Sequence, residues 1–240
     1  MTRFTVQDAE KWILFEDEDI ILVHKPAGVA VQNASLHMPD LESILKNRLR
    51  GGYLAVVHRL DQPVEGLVLF AKTPAAAGNL GQQLQKGRMH KEYLAVVCLP
   101  EADGPGSLVP GDWRRLEDWI LKEPRTNLSK VVPEGTGGAR KAVLEYRLLE
   151  KREDMRRALL AVRLETGRHH QIRVQLAHAG FPIAGDRKYG KEDGNEAPLG
   201  LCAARLEFIH PRTMRKMSFT AEPQGEAFAE NLWTKSRKSV

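Results

Sequence analysis

Apolar positions in the first hundred residues come in short runs bounded by turn formers. Ile20-Ile21-Leu22-Val23 leads through His24-Lys25 into Pro26-Ala27-Gly28, which predicts a strand ending in a turn. Leu67 to Ala71 is a second run, of the length expected for a buried strand. Lys91-Glu92-Tyr93-Leu94-Ala95-Val96-Val97-Cys98-Leu99 is a third. Between these runs the period changes. Leu41, Ile44, Leu45 and Leu49 have helical spacing behind a candidate N-cap at Asp40. Thr73-Pro74 pairs an N-cap with proline at the first helical position; Leu80 and Leu84 share a face, and Gly87 can end the helix.

The second half alternates more evenly. Leu116 to Leu121 predicts a strand, and Lys141 to Leu149 with Arg157 to Glu165 predicts a hairpin across Glu150-Lys151-Arg152-Glu153-Asp154. Residues 101–111 and 133–138 are rich in glycine and proline and read as loops. Thr166-Gly167 precedes a helix expected from about Arg168 to Ala179, with Gly180 as its stop. Strands near Leu199 to Phe208 and Met214 to Ala221, and a short helix from Glu226 to Trp233, complete the pattern. Strands with helices inserted at intervals indicate an α+β fold with a mostly antiparallel sheet. The 240 residues are read as one domain, 1–240.

Composition narrows the classes. Hydrophobic residues are 42% and charged residues 28%, ordinary for a soluble globular chain. No apolar run approaches the ~18 residues that span a bilayer, and Met1 to Glu10 lacks a signal-peptide core. Cys98 and Cys202 lie far apart in apolar surroundings and read as buried thiols of a reducing compartment, so a cytoplasmic location is expected. The net charge of +5 is mild, but basic residues cluster at Lys86 to Lys91, at Arg168 to Arg173, at Arg187 to Lys191, at Arg212, Arg215 and Lys216, and at Lys235 to Lys238. Such clusters suit a phosphate-binding surface as well as they suit scattered solvated faces.

Candidate chemistry starts at His58-Arg59-Leu60-Asp61-Gln62-Pro63-Val64-Glu65-Gly66, a carboxylate beside an arginine in a polar turn that feeds the Leu67 run. A turn fixed by a buried strand is a good place for a reactive group; an exposed Arg59–Asp61 ion pair is the plain alternative. A second candidate is Gly167-Arg168-His169-His170-Gln171-Ile172-Arg173-Val174-Gln175-Leu176, continuing to Gly185-Asp186-Arg187-Lys188-Tyr189-Gly190. On a helix, Ile172, Leu176 and Ala179 would share one face and His169 and Arg173 another, leaving Arg173 free to reach Asp61. His170 and His178 are eight apart with no carboxylate at the spacing of a zinc helix, so no metal site is expected.

Together these stretches resemble the RluA-type pseudouridine synthases. That family carries His-Arg-Leu-Asp, two variable residues and Thr-Ser-Gly before an apolar strand; then Lys-x-Tyr at a strand start, matched by Lys91-Glu92-Tyr93; then the Gly-Arg-x-His-Gln-Ile-Arg motif. The Ile20 to Gly28 entry fits as well, and the resemblance runs from about residue 13 to about 221. One departure is clear, Val64-Glu65 in place of Thr-Ser. Glu65 adds a negative charge that an RNA phosphate would not welcome.

The resemblance implies a pseudouridine synthase fold and isomerisation of uridine to pseudouridine in structured RNA, tRNA or rRNA, without cofactor or metal. It implies Asp61 as the catalytic carboxylate, attacking the sugar, attacking the base or removing a ribose proton. Tyr93 would pack on the flipped base, and Arg59, His170, Arg173 and Leu176 would line the substrate. No membrane and no obligate protein partner is implied. Too few residues precede the first strand for the S4-type domain common in the family, which points toward a tRNA-like stem-loop. Two other readings remain: a catalytically silent RNA-binding protein on this fold, and a carboxylate-dependent hydrolase whose second acid would have to be Glu65.

Overall fold

The computed structural model describes residues 6–32, 40–100, 108, 110–190, 198–229 and 233. In chain order these form helix α1 (Val6–Trp12), strands β1 (Ile13–Glu16) and β2 (Ile20–Lys25), helix α2 (Leu41–Arg48), strands β3 (Ala55–Val56) and β4 (Glu65–Ala71), and helix α3 (Pro74–Gln85). There follow β5 (His90–Cys98), β6 (Arg114–Glu123), β7 (Leu128–Val132), β8 (Arg140–Arg152), β9 (Arg157–Leu164), helix α4 (Gln171–His178), β10 (Leu201–Ile209) and β11 (Lys216–Thr220). Sequence reads one domain; the contacts divide into two compact units, Met1–Lys91 with Ala203–Pro223, and Glu92–Cys202 with Gln224–Val240. The first unit is closed by a segment that returns over a hundred residues later, which no linker in the sequence marks.

In the first unit the strand order is β1-β2-β4-β10, with β3 on β4 and β11 on β10. β2 and β4 pair antiparallel from Ile20↔Ala71 to Lys25↔Gly66, and every residue of both is buried. Burial on both faces explains why these strands read as unbroken apolar runs. One cluster joins Ile20, Leu22, Leu67 and Leu69 to Ala76 and Leu80 of α3 and to Leu206 and Phe208 of β10. Each large side chain so buried contributes about 1.5–3 kcal/mol. Both expected caps form: Asp40 accepts the Ser43 N–H at 2.7 Å, and the Thr73 hydroxyl accepts the Ala76 N–H at 3.1 Å.

The second unit is an antiparallel sheet ordered β5-β9-β8-β6-β7. The β8–β9 hairpin is longer than its alternation suggests, turning at Glu153 to Arg156 with an irregularity between Leu148 and Glu150. β7 has no strong sequence signal; Pro124 and a left-handed Asn127 (φ 52°) make its turn, and β6 supplies its register. Helix α4 is held by Val174 against Ile120 and Ala142, by Gln175 donating to Asp118 at 2.7 Å, and by Gln171 donating to the Val143 carbonyl at 3.0 Å.

Some expectations need correction. α4 starts at Gln171, because His170 takes a left-handed conformation (φ 53°) as its N-cap. His169 therefore precedes the helix and shares no helical face with Arg173. Gln171 to Leu176 are all buried, so α4 is enclosed rather than amphipathic. The closing helix shrinks to a 3-10 turn at Glu226–Phe228, and residues 230–232 lie outside the described ones, as do Lys191, 235–238 and most of the loop 101–111. Cys202 is buried, but Cys98 is only half-buried.

Candidate active site

In the first unit, His58 to Glu65 runs from the β3 end into β4. Its residues alternate: His58 and Leu60 are buried, Arg59 is exposed and Asp61 half-buried. The inward pair fixes the outward pair. His58 Nε2 accepts the Leu69 N–H at 3.4 Å, and its Nδ1 is buried without a hydrogen-bond partner among the described residues. Burial, and then the charge of Lys91, push the His58 pKa down to about 3, so the ring is neutral.

The other side of the turn is fastened by Lys25, which has no exposed surface. Its ammonium donates to the carbonyls of Pro26 (3.0 Å), Val29 (2.7 Å) and Gln62 (3.1 Å). Gly28 N–H also donates to the Gln62 carbonyl at 2.9 Å, and the Gln62 amide returns a bond to Gly28 O at 3.0 Å. The Pro26 turn and the Asp61 turn are therefore stitched together through Gln62. Burial lowers the Lys25 pKa to about 7, opposed first by Asp61 and then by Glu65. A buried cation thus lies in the field of the carboxylate the motif points to. The sequence offered Lys25 only as part of a strand-to-turn entry.

Val64 and Glu65 are both buried, at 3% exposure each. Glu65 lies 3.8 Å from His24 across the β2–β4 pairing, beyond hydrogen-bond reach. The expectation that Glu65 confronts RNA phosphate is overturned: its carboxylate points inward. Burial lowers the His24 pKa, Glu65 raises it and Lys25 lowers it.

In the second unit Tyr93 lies on β5, 5% exposed. His170, Arg173 and Leu176 come from the start of α4 and its first turns. Arg173 is anchored within its own unit. Its Nε and one terminal nitrogen donate to Asp186 at 2.8 and 2.6 Å, and both side chains are buried. Asp186 also accepts the N–H groups of Lys188 (2.9 Å) and Tyr189 (3.2 Å), which bends the 186–190 loop back over α4. Leu176 has no accessible surface, so its side chain packs in the core where substrate contact was implied.

The same loop orients His170. Tyr189 Oη accepts the Ser129 N–H at 2.8 Å and lies 2.7 Å from His170 Nδ1. Ser129 Oγ donates to the His169 carbonyl at 3.0 Å, and the two histidine rings stack at 3.7 Å. Burial, then the charges of Arg173, His169 and Lys188, push the His170 pKa down to about 3. The ring is therefore neutral and carries a single proton on one of its two nitrogens. Asp186 and Tyr189 stood inside the third motif with no role attached; Ser129 had no sequence signal at all.

Comparison with known proteins identifies the family and the fold. A family model described as RNA pseudouridylate synthase matches residues 19–178. The chain is 31% identical to ribosomal large subunit pseudouridine synthase C of Vibrio cholerae, over 98% of this chain and 72% of that protein. It is 35% identical to ribosomal large subunit pseudouridine synthase D of Xylella fastidiosa, over 85% of this chain and 63% of that one. The chain thus spans roughly two thirds of the length of these relatives. Among solved structures, human RNA pseudouridylate synthase domain containing 1 superposes with a TM-score of 0.70 at 20% identity, covering 93% of this chain and 86% of its own. Human RNA pseudouridylate synthase domain containing 4 gives 0.68 at 21%, covering 90% of each. These two support the α+β pseudouridine synthase fold. With its RluA-type motifs in order and the family model matched over most of its length, the chain belongs to the RNA pseudouridylate synthase family, a family of isomerases.

Proposed function

We propose that this protein converts uridine to pseudouridine in large-subunit ribosomal RNA, with Asp61 as the catalytic carboxylate. The RNA class is taken from the names of the relatives, which are synthases of the ribosomal large subunit. The observation that carries the assignment of Asp61 is its setting. It stands half-buried on a turn locked by His58 on one side and by the Lys25–Gln62 stitch on the other. A carboxylate so held, with a buried ammonium in its field, is oriented before substrate arrives.

In the reaction the N1–C1′ bond breaks, uracil turns over and C5 joins C1′; C5 gives up its hydrogen and N1 acquires one. Asp61 either attacks the nucleoside or removes a ribose proton, roles that an ionised carboxylate can serve. The target base must leave its stack, at a cost of a few kcal/mol, to be met by Tyr93 and by backbone contacts. Arg59, exposed beside Asp61, is proposed to hold the flanking strand or fill the vacated place. Neutral His170 and the Asp186-held Arg173 are proposed to bind polar groups of the substrate. A cytoplasmic location completes the proposal.

The test is tritium release from ribosomal RNA labelled at uracil C5, comparing wild type with Asp61→Asn. Wild type should release tritium, and Asp61→Asn should release none while keeping its circular dichroism spectrum. Protein that binds the RNA but frees no tritium would instead be a silent RNA binder.

A further inference from the structure

We infer that Lys91 is a binding position for a phosphate of the RNA backbone, an inference that rests on the proposed action on RNA. Three other cations drawn into the first and second units each have acceptors inside the protein. Lys25 has three carbonyls, Arg173 has Asp186, and Lys72 has Glu16 at 2.7 Å and the Asp17 carbonyl at 2.6 Å. Lys91 is half-buried at the start of β5, and among the described residues no carboxylate or carbonyl lies within bonding distance of its ammonium. Burial lowers its pKa, and no neighbouring charge opposes that shift. The titratable side chain that senses it is His58, which is neutral and so cannot balance it.

A desolvated ammonium without a counter-charge weakens the fold that contains it. The arrangement makes physical sense if the anion arrives from outside. The approach is favourable: Lys86, Arg88 and His90, just before Lys91, are all exposed. They form a solvated basic run leading to a cation that has already lost most of its water. A phosphate oxygen reaching Lys91 would meet a donor that need not be desolvated again, on a residue adjoining the His58 to Asp61 turn through His58.

The inference is tested with Lys91→Met, which keeps the aliphatic stem and removes the charge, and with Lys91→Gln as a second variant. Filter binding of a large-subunit ribosomal RNA transcript is measured over a series of KCl concentrations, alongside thermal melting. Both variants should bind about tenfold more weakly at low salt, and the slope of log K against log salt should shrink by about 1. Their melting temperatures should equal or exceed that of wild type. An unchanged salt slope, or a clear fall in melting temperature in both variants, would overturn the assignment; the latter would mean that the protein itself satisfies the charge. Tritium release by wild type reads the synthase proposal separately. An active wild type whose slope survives substitution sinks Lys91 alone, whereas a reduced slope in the variants of an inactive protein leaves Lys91 standing.

Discussion

Gly66 illustrates how one residue sets the geometry of the candidate site. It directly follows the Asp61 turn, has φ +117°, and pairs with Lys25 inside β4. A Cβ built there would lie 2.4 Å from the Ala203 carbonyl oxygen. Only glycine lets β4 and β10 approach so closely while taking that backbone conformation. Gly66→Ala should cost about 2–6 kcal/mol, the sum of backbone strain and overpacking, and should lower activity by shifting the turn. Gly78→Ala in α3 is the contrast, since a Cβ there meets nothing within 4 Å and helical alanine is favoured by about 0.5–1 kcal/mol. Urea unfolding of the two variants should move in opposite directions; a neutral Gly66→Ala would disprove the close-approach account.

At the scale of elements, the Arg173–Asp186 pair ties α4 to the 186–190 loop, and that loop in turn orients His170 through Tyr189. Removing one partner strands a buried charge. Arg173→Ala should therefore cost about 3–5 kcal/mol, whereas replacing both partners with apolar residues of similar volume should recover most of that. Activity should stay low in both proteins, because the loop that holds Tyr189 loses its bend. Urea midpoints of the single variant Arg173→Ala and of a doubly substituted protein, Arg173→Met with Asp186→Leu, decide the matter. A fully stable Arg173→Ala would show that the pair is not the tie it is taken to be.

For the whole molecule, buried neutral histidines couple folding to acidity. His58 has a folded pKa of about 3 against an ordinary 6.5. Below pH 6.5 the unfolded chain binds a proton that the native site refuses, so stability is complete above that value. It falls as pH is lowered toward about 3, at about 1.4 kcal/mol per pH unit for this residue. His170 acts with the same sign. Substituting His58→Gln keeps an acceptor for the Leu69 N–H and removes the titration, so its urea midpoints should depend less steeply on pH across that window. Equal slopes in wild type and variant would refute the linkage.

Local pattern determined much of this protein. Apolar runs located β2, β4 and β5 because strands buried on both faces have no polar positions to interrupt them. Asp40 and Thr73 located two helix starts because capping is satisfied within four residues. The motifs identified the family and nominated Asp61 because their residues are contiguous. Tertiary structure decided the partners. Asp186 pairs with Arg173 from 13 positions away, and Glu65 turns inward to His24. Lys25 reaches Gln62 from 37 positions away, and Ser129 meets Tyr189 from 60. Division into two units, with β10 and β11 returning to complete the first, was equally invisible in the sequence. The reason is physical: hydrogen bonds and ion pairs depend on distances of a few ångströms, and spacing along a chain fixes such distances only within a single turn or strand.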